Sequence, residues 1–402
     1  MSMYNKKSVE DIDVAGKKVI VRVDFNVPFD AEGNITDDKR IVGALPTIKY
    51  LVDHNAKTIL VSHLGRPKGQ FNPKYSMKPA SARLAELLGK PVIQAADVIG
   101  PDAEAKAAAL KDGEVLMLEN ARFHEEEEKN DPEFARKLAS FAEIYVNDAF
   151  GTAHRAHATT AGLADYLPAV SGMLIEKEIS IMGKALENPD RPFVTILGGA
   201  KVADKLKVIE NLLNKADTLI IGGGMAFTFL AAKGLKVGKS LVDESKIDYC
   251  KDMMAKAEEK GVKILLPEDC ICTAGFPDPI NAPVETVTVS VDAIPDDMMG
   301  LDIGPATDKI FSEAVKNAKT VVWNGPMGVT ENHALAGGTI AVAEALSHTD
   351  AITIVGGGDS AAAIEKLGFA HTITHISTGG GASLEFLEGK VLPGIACLED
   401  KD

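Results

Sequence analysis

Short apolar runs alternate with helical patterns along the whole chain. The first half carries strand patterns at 17–26, 58–64, 91–95, 114–120 and 143–150, with helical patterns between them at 38–53, 77–89, 101–110 and 131–142. The second half repeats this plan, with strand patterns at 193–199, 218–224, 263–267, 320–326 and 351–358. Near-continuous apolar strands separated by helices are typical of parallel sheets that are covered on both faces.

This pattern predicts an α/β fold with two doubly wound parallel-sheet (Rossmann-like) domains. A chain of 402 residues exceeds one ordinary hydrophobic core, which also favours two domains. Between the two halves, residues 171–192 carry apolar positions at helical spacing, and the Asn188-Pro189 and Arg191-Pro192 pairs end the pattern. We therefore expect a helix that joins the domains and serves as a hinge.

Composition and charge narrow the class of protein. The net charge of −15 argues against nucleic acid or an anionic membrane as the main partner. No apolar run approaches the roughly 18–20 residues of a membrane-spanning helix, and the first 18 residues lack the apolar core of a secretion signal. The four cysteines, one pair of them spaced C-x-C, suit neither a zinc ribbon nor a disulfide framework. We expect a cytoplasmic protein.

Arginine is distributed unevenly along the chain. All eight arginines lie at or before position 191, although lysine is plentiful after it. The planar guanidinium suits two-point binding of carboxylate and phosphate, whereas lysine acts more as a point charge. The asymmetry indicates either an anion-binding first half or simple drift in lysine and arginine usage, and both interpretations stay open.

Polar side chains follow the predicted strands of the first half. In open parallel sheets, ligands bind outside the carboxyl ends of the strands, where this chain reads "RVDFNVP", "SHLGRP", "LENARFH" and "NDAFGTAHRAH". Several arginines that converge there would repel one another unless a multiply charged anion lay between them, and a phosphorylated carboxylic acid fits. A surface ion pair would explain any one of them alone. The candidates are Asp24, Asn26, Arg40, His63, Arg66, Arg122 and Arg155.

Three nearby features receive simpler interpretations. His154 and His157 have a spacing that can bind metal, but no acidic third ligand follows the H-E-x-x-H pattern, so we favour histidines that orient arginines or an anion. The acidic run at 125–131 is interpreted as a solvated loop before a helix. Arg22, inside a strand pattern, is interpreted as structural.

The loops of the second half are rich in glycine and read "LGGAKVADK", "IGGGMAFTF", "VWNGPMGVTE" and "VGGGDSAAA". Glycine at a strand-to-helix turn lets the backbone approach a ligand and offers N–H groups to phosphate. A carboxylate beside phosphates implies a metal, so we predict that Asp359 binds Mg²⁺. The alternative is that Asp359 is an ordinary helix N-cap.

Lys201 and Lys205, four residues apart, are expected to share one face of a helix start and to contact different phosphates, unless both are solvated. Asn324 and Glu331 are candidates for a ribose hydroxyl or a base edge.

Taken in order, these motifs resemble those of the phosphoglycerate kinases. The matching motifs span nearly the whole chain and are, in order, "VRVDFNVP", "SHLGRP", "NDAFGTAHRAH", "GGAKVADK", "GGGMAFTF", "LDIGPAT", "VWNGPMGV", "GGGDSAA" and "HISTGGGASLEFLEGKVLPGI". The resemblance implies reversible, in-line transfer of the acyl phosphate of 1,3-bisphosphoglycerate to Mg·ADP in glycolysis, giving 3-phosphoglycerate and ATP, by a monomer that closes about its hinge. It implies an acid-binding domain at 1–172, a hinge helix at 173–190, a Mg-nucleotide domain at 191–388 and a tail at 389–402 that returns to the first domain.

The resemblance also assigns residues. The phosphoglycerate site takes Asp24, Asn26, Arg40, His63, Arg66, Arg122 and Arg155. The ADP/ATP site takes Lys205, Gly300, Asn324, Glu331, Gly357, Gly358, Asp359 and Ser360, with Asp359 as the Mg²⁺ ligand. Arg40 and Lys201 flank the phosphoryl group in flight. Thr330 and Ser360 depart from the family pattern, where Phe and Thr are common, which puts the nucleotide affinity in doubt.

Two other functions compete with this interpretation. An NAD-dependent dehydrogenase would need G-x-G-x-x-G after the first strand of a unit, and the triple-glycine runs lack that spacing. A two-domain protein that closes on an anion without chemistry is usually exported, and we see no export signal. Both are less favoured than the kinase.

Overall fold

The computed structural model describes residues 4–401. The chain divides into two compact units. The first contains the described residues up to Ile181 together with the segment from Val391 onward, and the second contains Met182–Lys390. Each unit is built on a six-stranded parallel sheet, so the predicted α/β class with parallel sheets is confirmed. The predicted domain limits at 172, 190 and 388 stay predictions.

The sheet of the first unit has six strands in the order β3-β4-β2-β1-β5-β6. The strands are β1 (Lys18–Arg22), β2 (Lys57–Val61), β3 (Ile93–Gln94), β4 (Val115–Met117), β5 (Ile144–Asn147) and β6 (Ala169–Ser171). All neighbours are parallel. Because β1 lies between β2 and β5, the loops that follow these three strands meet at one edge of the sheet.

Helices cover this sheet with their apolar positions turned inward. They are α1 (Lys39–Asp53), α2 (Lys78–Leu88), α3 (Pro101–Ala109), α4 (Glu125–Glu128), α5 (Pro132–Ala139) and the first part of α6 (Met173–Glu187), which continues into the second unit. In α1, for example, the buried residues include Ile41, Leu45 and Ile48, at the spacing of one helical face. The sequence pattern predicted α1, α2, α3, α5 and α6 to within a few residues. It missed α4, whose sequence is four consecutive glutamates.

The main sheet of the second unit runs β15-β14-β13-β7-β8-β9, again with all neighbours parallel. Its strands are β7 (Phe193–Leu197), β8 (Thr218–Ile221), β9 (Lys263–Leu265), β13 (Thr320–Asn324), β14 (Ile352–Gly356) and β15 (His375–Ile376). This is the doubly wound order 3-2-1-4-5-6 read from the other edge, and its switch point lies between β7 and β13. The loops after these two strands are therefore the expected place for a ligand.

A second, antiparallel sheet in this unit was not predicted. It consists of β10 (Asp269–Thr273), β11 (Val287–Ser290) and β12 (Met299–Ile303), in the order β11-β10-β12. The edge strand β11 is mostly exposed, so its sequence lacks the continuous apolar run that marks the buried strands. The helices of the second unit are α7 (Leu206–Leu212), α8 (Ala226–Ala232), α9 (Ile247–Lys260), α10 (Pro305–Lys316), α11 (Gly337–Ser347), α12 (Gly358–Lys366) and α13 (Gly381–Leu387).

The end of the described chain packs within the first unit. It contains a last short helix, α14 (Pro393–Ala396), and then runs beside Lys6 and Lys7. The backbone N–H of Lys7 donates to the carbonyl of Glu399 at 2.8 Å, and Nζ of Lys6 pairs with Asp400 at 2.7 Å. No helix in residues 4–401 has the length and apolar character that crossing a membrane requires.

Candidate active site

Polar side chains join the loops that follow β1 and β2. Oδ1 of Asn26 accepts a hydrogen bond of 2.9 Å from the backbone N–H of Gly65. Nη1 of Arg40, the second residue of α1, contacts both carboxylate oxygens of Asp24. The structure thus brings Asp24, Asn26 and Arg40, three residues of the predicted acid site, to one edge of the sheet.

His63 follows β2 and is 4% exposed. Its Nδ1 lies 3.1 Å from an Nη nitrogen of Arg22. Burial lowers the pKa of His63 well below its usual value of 6.5, and four guanidinium charges lower it further: those of Arg22, Arg122, Arg40 and Arg155. His63 is therefore neutral at physiological pH, at the centre of a group of positive charges.

Arg122 lies in a 3-10 turn, Ala121–Phe123, just after β4, and is 4% exposed. Its Nη1 donates to the carbonyl of Gly65 at 3.0 Å, while Nε is 3.6 Å from a carboxylate oxygen of Glu128. Within residues 4–401, neither its buried Nε nor its buried Nη2 has a hydrogen-bond partner. Burying unpaired N–H donors is unfavourable, so these two nitrogens are suited to an anion.

The loop after β5 adds another arginine. Arg155 is half-buried, and its charge acts on both His63 and Arg122. Burial, helped by the nearby arginines, lowers the pKa of His157 to about 4, so this histidine is also neutral at pH 7. Arg66 differs from the others because its side chain is exposed, although it lies in the same loop as His63.

Two residues near this site were not among the predicted site residues. Arg22, interpreted as structural, is fully buried and contacts His63. Glu127 was placed in a solvated loop, which is wrong: it lies in α4 and is 1% exposed. An arginine inside an apolar strand was a visible signal for Arg22, whereas four adjacent glutamates gave no sign of which one turns inward.

Glycine-rich loops pack backbone to backbone where β7 and β13 end. The N–H of Gly198 donates to the carbonyl of Asn324 at 2.9 Å, and the N–H of Gly199 donates to that of Pro326 at 2.9 Å. A Cβ on Gly198 would lie 2.2 Å from the Pro326 carbonyl oxygen. Gly198 is therefore required by close packing between loops, whereas Gly199 has a φ of 98° that favours glycine. The N–H groups of both glycines are occupied, which differs from the phosphate-binding role predicted for glycine here.

The loops after β13 and β14 are tied together by side chains. Nδ2 of Asn324 donates to the carbonyl of Gly356 at 2.9 Å, and the hydroxyl of Ser360 accepts a hydrogen bond of 2.5 Å from the N–H of Gly325. Gly357 has a φ of 92°, and a Cβ there would meet Nδ2 of Asn324 at 2.9 Å. The structure thus gathers Asn324, Gly357 and Ser360 at the start of α12.

The start of α12 combines a helix N-terminus with two charged side chains. Gly357 is the N-cap of this helix, so the alternative that Asp359 is an ordinary N-cap is wrong; Asp359 is the second helical residue and is exposed. Burial lowers the pKa of Lys205 to about 8, and the negative charges of Asp204 and Asp359 oppose that shift. Lys205 and Asp359 are therefore within electrostatic range of each other.

Lys201 is placed differently from the prediction. It precedes a 3-10 turn, Val202–Lys205, and α7 begins only at Leu206. The two lysines thus do not share one face of an α-helix, and that interpretation is wrong. Lys201 is exposed, while Lys205 is half-buried.

Two predicted nucleotide residues lie in the neighbouring segments. Gly300 is buried in β12, where its N–H donates to the hydroxyl of Ser240 at 2.9 Å and a Cβ would lie 2.1 Å from the ring of Phe227. The backbone N–H of Val329, in the loop after β13, donates to the carbonyl of Leu301 at 3.2 Å. This contact joins β12 to the loop that carries Glu331, whose side chain is exposed.

The donor set bears on the metal that the resemblance implies. Within residues 4–401, no group of three or more His, Cys, Asp and Glu side chains is arranged to hold a metal ion. Among the same residues, His154 and His157 belong to no such group. A single exposed carboxylate at a helix N-terminus, such as Asp359, fits Mg²⁺ that takes its other ligands from nucleotide phosphates and water.

Comparisons with known proteins agree in pointing to one family. The family model described as phosphoglycerate kinase matches residues 9–390. A phosphoglycerate kinase of Clostridium perfringens is 59% identical over 401 residues, which cover 99% of this chain and 100% of that protein. One of Clostridium novyi is 60% identical over 400 residues, 99% of each chain.

Solved structures give the same result. The phosphoglycerate kinase of Coxiella burnetii matches with a TM-score of 0.91 at 40% identity, over 98% of both chains. That of Pyrococcus horikoshii matches with a TM-score of 0.82 at 36% identity, also over 98% of both.

Proposed function

Because the chain belongs to the phosphoglycerate kinase family, we propose that its two units divide the substrates of one reaction between them. The enzyme is a glycolytic phosphotransferase, which transfers the acyl phosphate of 1,3-bisphosphoglycerate reversibly to Mg·ADP and yields 3-phosphoglycerate and ATP. In the proposal, the first unit binds the phosphoglycerate and the second binds the nucleotide.

The arginines of the first unit carry the proposal for the acid. The central observation is that two nitrogens of Arg122 are buried without a hydrogen-bond partner among residues 4–401. A phosphate or carboxylate oxygen would satisfy both donors at once. Arg40 and Arg155 add positive charge around neutral His63, and Arg66 extends from the same loop as His63. Asp24 and Asn26 orient this group through their contacts with Arg40 and Gly65.

The start of α12 supports the proposal for the nucleotide. The first N–H groups of a helix lack intrahelical partners and favour phosphate, and Gly357 and Gly358 let phosphates approach them. Lys205 adds a positive charge there. When Mg²⁺ is bound, Asp359 would hold it, and the ion would neutralise phosphate charge. Asn324 and Glu331 are assigned to a ribose hydroxyl or a base edge, and Gly300 and Ser360 complete the proposed nucleotide set.

Catalysis in this proposal needs no side-chain nucleophile. In phosphoryl transfer, the protein positions donor and acceptor and stabilises charge on the moving oxygens. Arg40 and Lys201, both exposed, are assigned to that charge. The acid and the nucleotide are assigned to different units, so we include the predicted hinge closure in the proposal. We also propose that the enzyme acts as a cytoplasmic monomer.

A crossed binding experiment tests the division of ligands. Isothermal titration calorimetry measures the affinity of Arg122→Ala and of Lys205→Ala for 3-phosphoglycerate and for Mg·ADP. We expect the first variant to lose affinity for the acid alone and the second for the nucleotide alone. Loss of both affinities in either variant, or of neither, would contradict the assignment.

A further inference from the structure

Arg22 and Glu127 are oppositely charged residues buried next to the proposed acid site. Arg22 is 0% exposed and Glu127 is 1% exposed. A buried charge without a counter-charge is strongly destabilising. Burial raises the pKa of Glu127, and the positive charge of Arg22 opposes that rise, so the two side chains stabilise each other's charged forms.

Thr159 connects these two residues. Oε1 of Glu127 accepts a hydrogen bond of 2.9 Å from the backbone N–H of Thr159, and the carbonyl of Glu127 accepts another of 2.9 Å from Ala158. The hydroxyl of Thr159 in turn accepts a hydrogen bond of 2.7 Å from Nε of Arg22. Glu127 therefore fixes the segment that positions the guanidinium.

The guanidinium determines the tautomer of His63. Arginine has five N–H donors and no acceptor, so at 3.1 Å from an Arg22 nitrogen the Nδ1 atom of His63 must be the acceptor. In a neutral imidazole the proton then resides on Nε2. His63 is thereby kept as a neutral ring whose Nε2–H is a hydrogen-bond donor.

We propose that Glu127 is a positioning residue for the phosphoglycerate site, which acts through Thr159 and Arg22 to hold His63 as the Nε2–H tautomer. This inference rests on the proposed function, since it assumes that His63 donates to the bound acid. It assigns a role to Glu127, a residue of the acidic run whose hydrogen bonds within residues 4–401 reach no residue of the predicted site.

Three variants separate the steps of this chain of contacts. Glu127→Ala removes the acceptor for Thr159 and the counter-charge for Arg22. Glu127→Gln keeps an acceptor oxygen, and Thr159→Val removes only the hydroxyl that Arg22 contacts. Glu125→Gln is the matched control, because Glu125 lies in the same helix with an exposed carboxylate that pairs with Lys129.

Kinetics and NMR supply two independent measurements. We expect Glu127→Ala and Thr159→Val to raise KM for 3-phosphoglycerate by about tenfold, which corresponds to about 1.4 kcal/mol, with KM for ATP unchanged. Glu127→Gln should lie closer to wild type, and Glu125→Gln should match it. The protonation of Nδ1 is measured with ¹⁵N-labelled histidine, and His63→Gln assigns the signal of His63. We expect Nδ1 of His63 to be unprotonated in wild type, and to carry a proton in part of the molecules in Glu127→Ala and Thr159→Val.

The NMR result also distinguishes this inference from the proposed function. A wild-type His63 spectrum in Thr159→Val and in any folded Glu127 variant would overturn the positioning role, as would equal increases in both KM values. If instead the tautomer changes while KM for the acid does not, the assignment of His63 to the acid is wrong.

Discussion

Nη1 of Arg40 lies 2.9 Å and 3.0 Å from the two carboxylate oxygens of Asp24. This contact fixes the direction of a side chain that is still 45% exposed. One nitrogen is held by Asp24, and the charge of the guanidinium reaches His63. Arg40 is therefore oriented before any ligand binds, which lowers the cost of ordering it around a transferring group.

Arg40→Ala tests the catalytic assignment. Since Arg40 is proposed to stabilise charge that develops during transfer, we expect kcat to fall by about 10²–10³-fold with a much smaller change in KM for 3-phosphoglycerate. Steady-state kinetics measure both constants. Arg83→Ala is the control, because Arg83 pairs with Asp38 and Glu86 at the surface of the same unit. Turnover close to wild type in Arg40→Ala would remove Arg40 from the mechanism.

Lys201→Ala tests the same role in the second unit. Lys201 is exposed, so its removal should leave the fold and the affinity for Mg·ADP nearly unchanged while kcat falls by about 100-fold. The matched control is Lys207→Ala, an exposed lysine of α7. Equal kinetics in the two variants would show that Lys201 is an ordinary surface lysine.

The affinity for ADP should depend on the protonation of Lys205. Burial lowers the pKa of Lys205 to about 8, so the ammonium is charged below pH 8 and loses its proton above it. We expect KM for ADP to rise between about pH 7 and pH 9 in wild type. Lys205→Arg keeps its charge throughout this range and should flatten the profile. The same rise in wild type and Lys205→Arg would exclude Lys205 as its cause.

Asp359→Asn tests the proposed metal ligand. Loss of the carboxylate should raise the Mg²⁺ concentration that gives half-maximal activity by at least about tenfold, since even partners outside the first shell change metal affinity by that factor. Asp204→Asn is the control, because the charge of Asp204 also acts on Lys205. If both variants shift the Mg²⁺ requirement equally, the effect is one of overall charge and Asp359 is not the ligand.

The sequence pattern predicted most strands of the main sheets because these buried strands are continuous apolar runs, as in β1 and β7, where nearly every residue is buried. Strand ends then placed most candidate side chains, since the carboxyl ends of parallel strands share one edge. Pattern alone missed the antiparallel sheet, whose edge strand β11 is mostly exposed. It also missed β6 and β15, which have only three and two residues and are too short to carry a periodic signal.

The sequence also did not predict which polar and charged side chains are buried. Glu125, Glu126, Glu127 and Glu128 have identical side chains, and only packing against the loop after β5 decides which one is buried. Conversely, Ser360, which was assigned to the nucleotide, is 2% exposed, and its hydroxyl accepts a hydrogen bond from Gly325 that no sequence pattern indicated. Tertiary contacts that determine these roles are distant in sequence, so local patterns do not reveal them.

Asp148 should make the stability of the first unit depend on pH. It is buried beside the start of α6, where Oδ1 accepts a hydrogen bond of 2.9 Å from the N–H of Leu174. Burial raises the pKa of Asp148 to about 7, although hydrogen bonds from Thr47 and Leu174 oppose the shift. The folded state therefore binds this proton more tightly than the unfolded state does, where the pKa is about 4.

The sign of the effect follows from this difference. The stabilisation from protonated Asp148 is fully present below about pH 4 and is lost as the pH rises through about 7. Asp148→Asn retains an acceptor oxygen but does not titrate. We expect the Tm of this variant relative to that of wild type to increase by about 5–10 °C between pH 5 and pH 8, the equivalent of about 2–3 kcal/mol. Asp97→Asn, which alters a carboxylate that accepts a hydrogen bond from the first turn of α3, controls for loss of a helix contact. A constant Tm difference across this range in Asp148→Asn would mean that Asp148 does not titrate there.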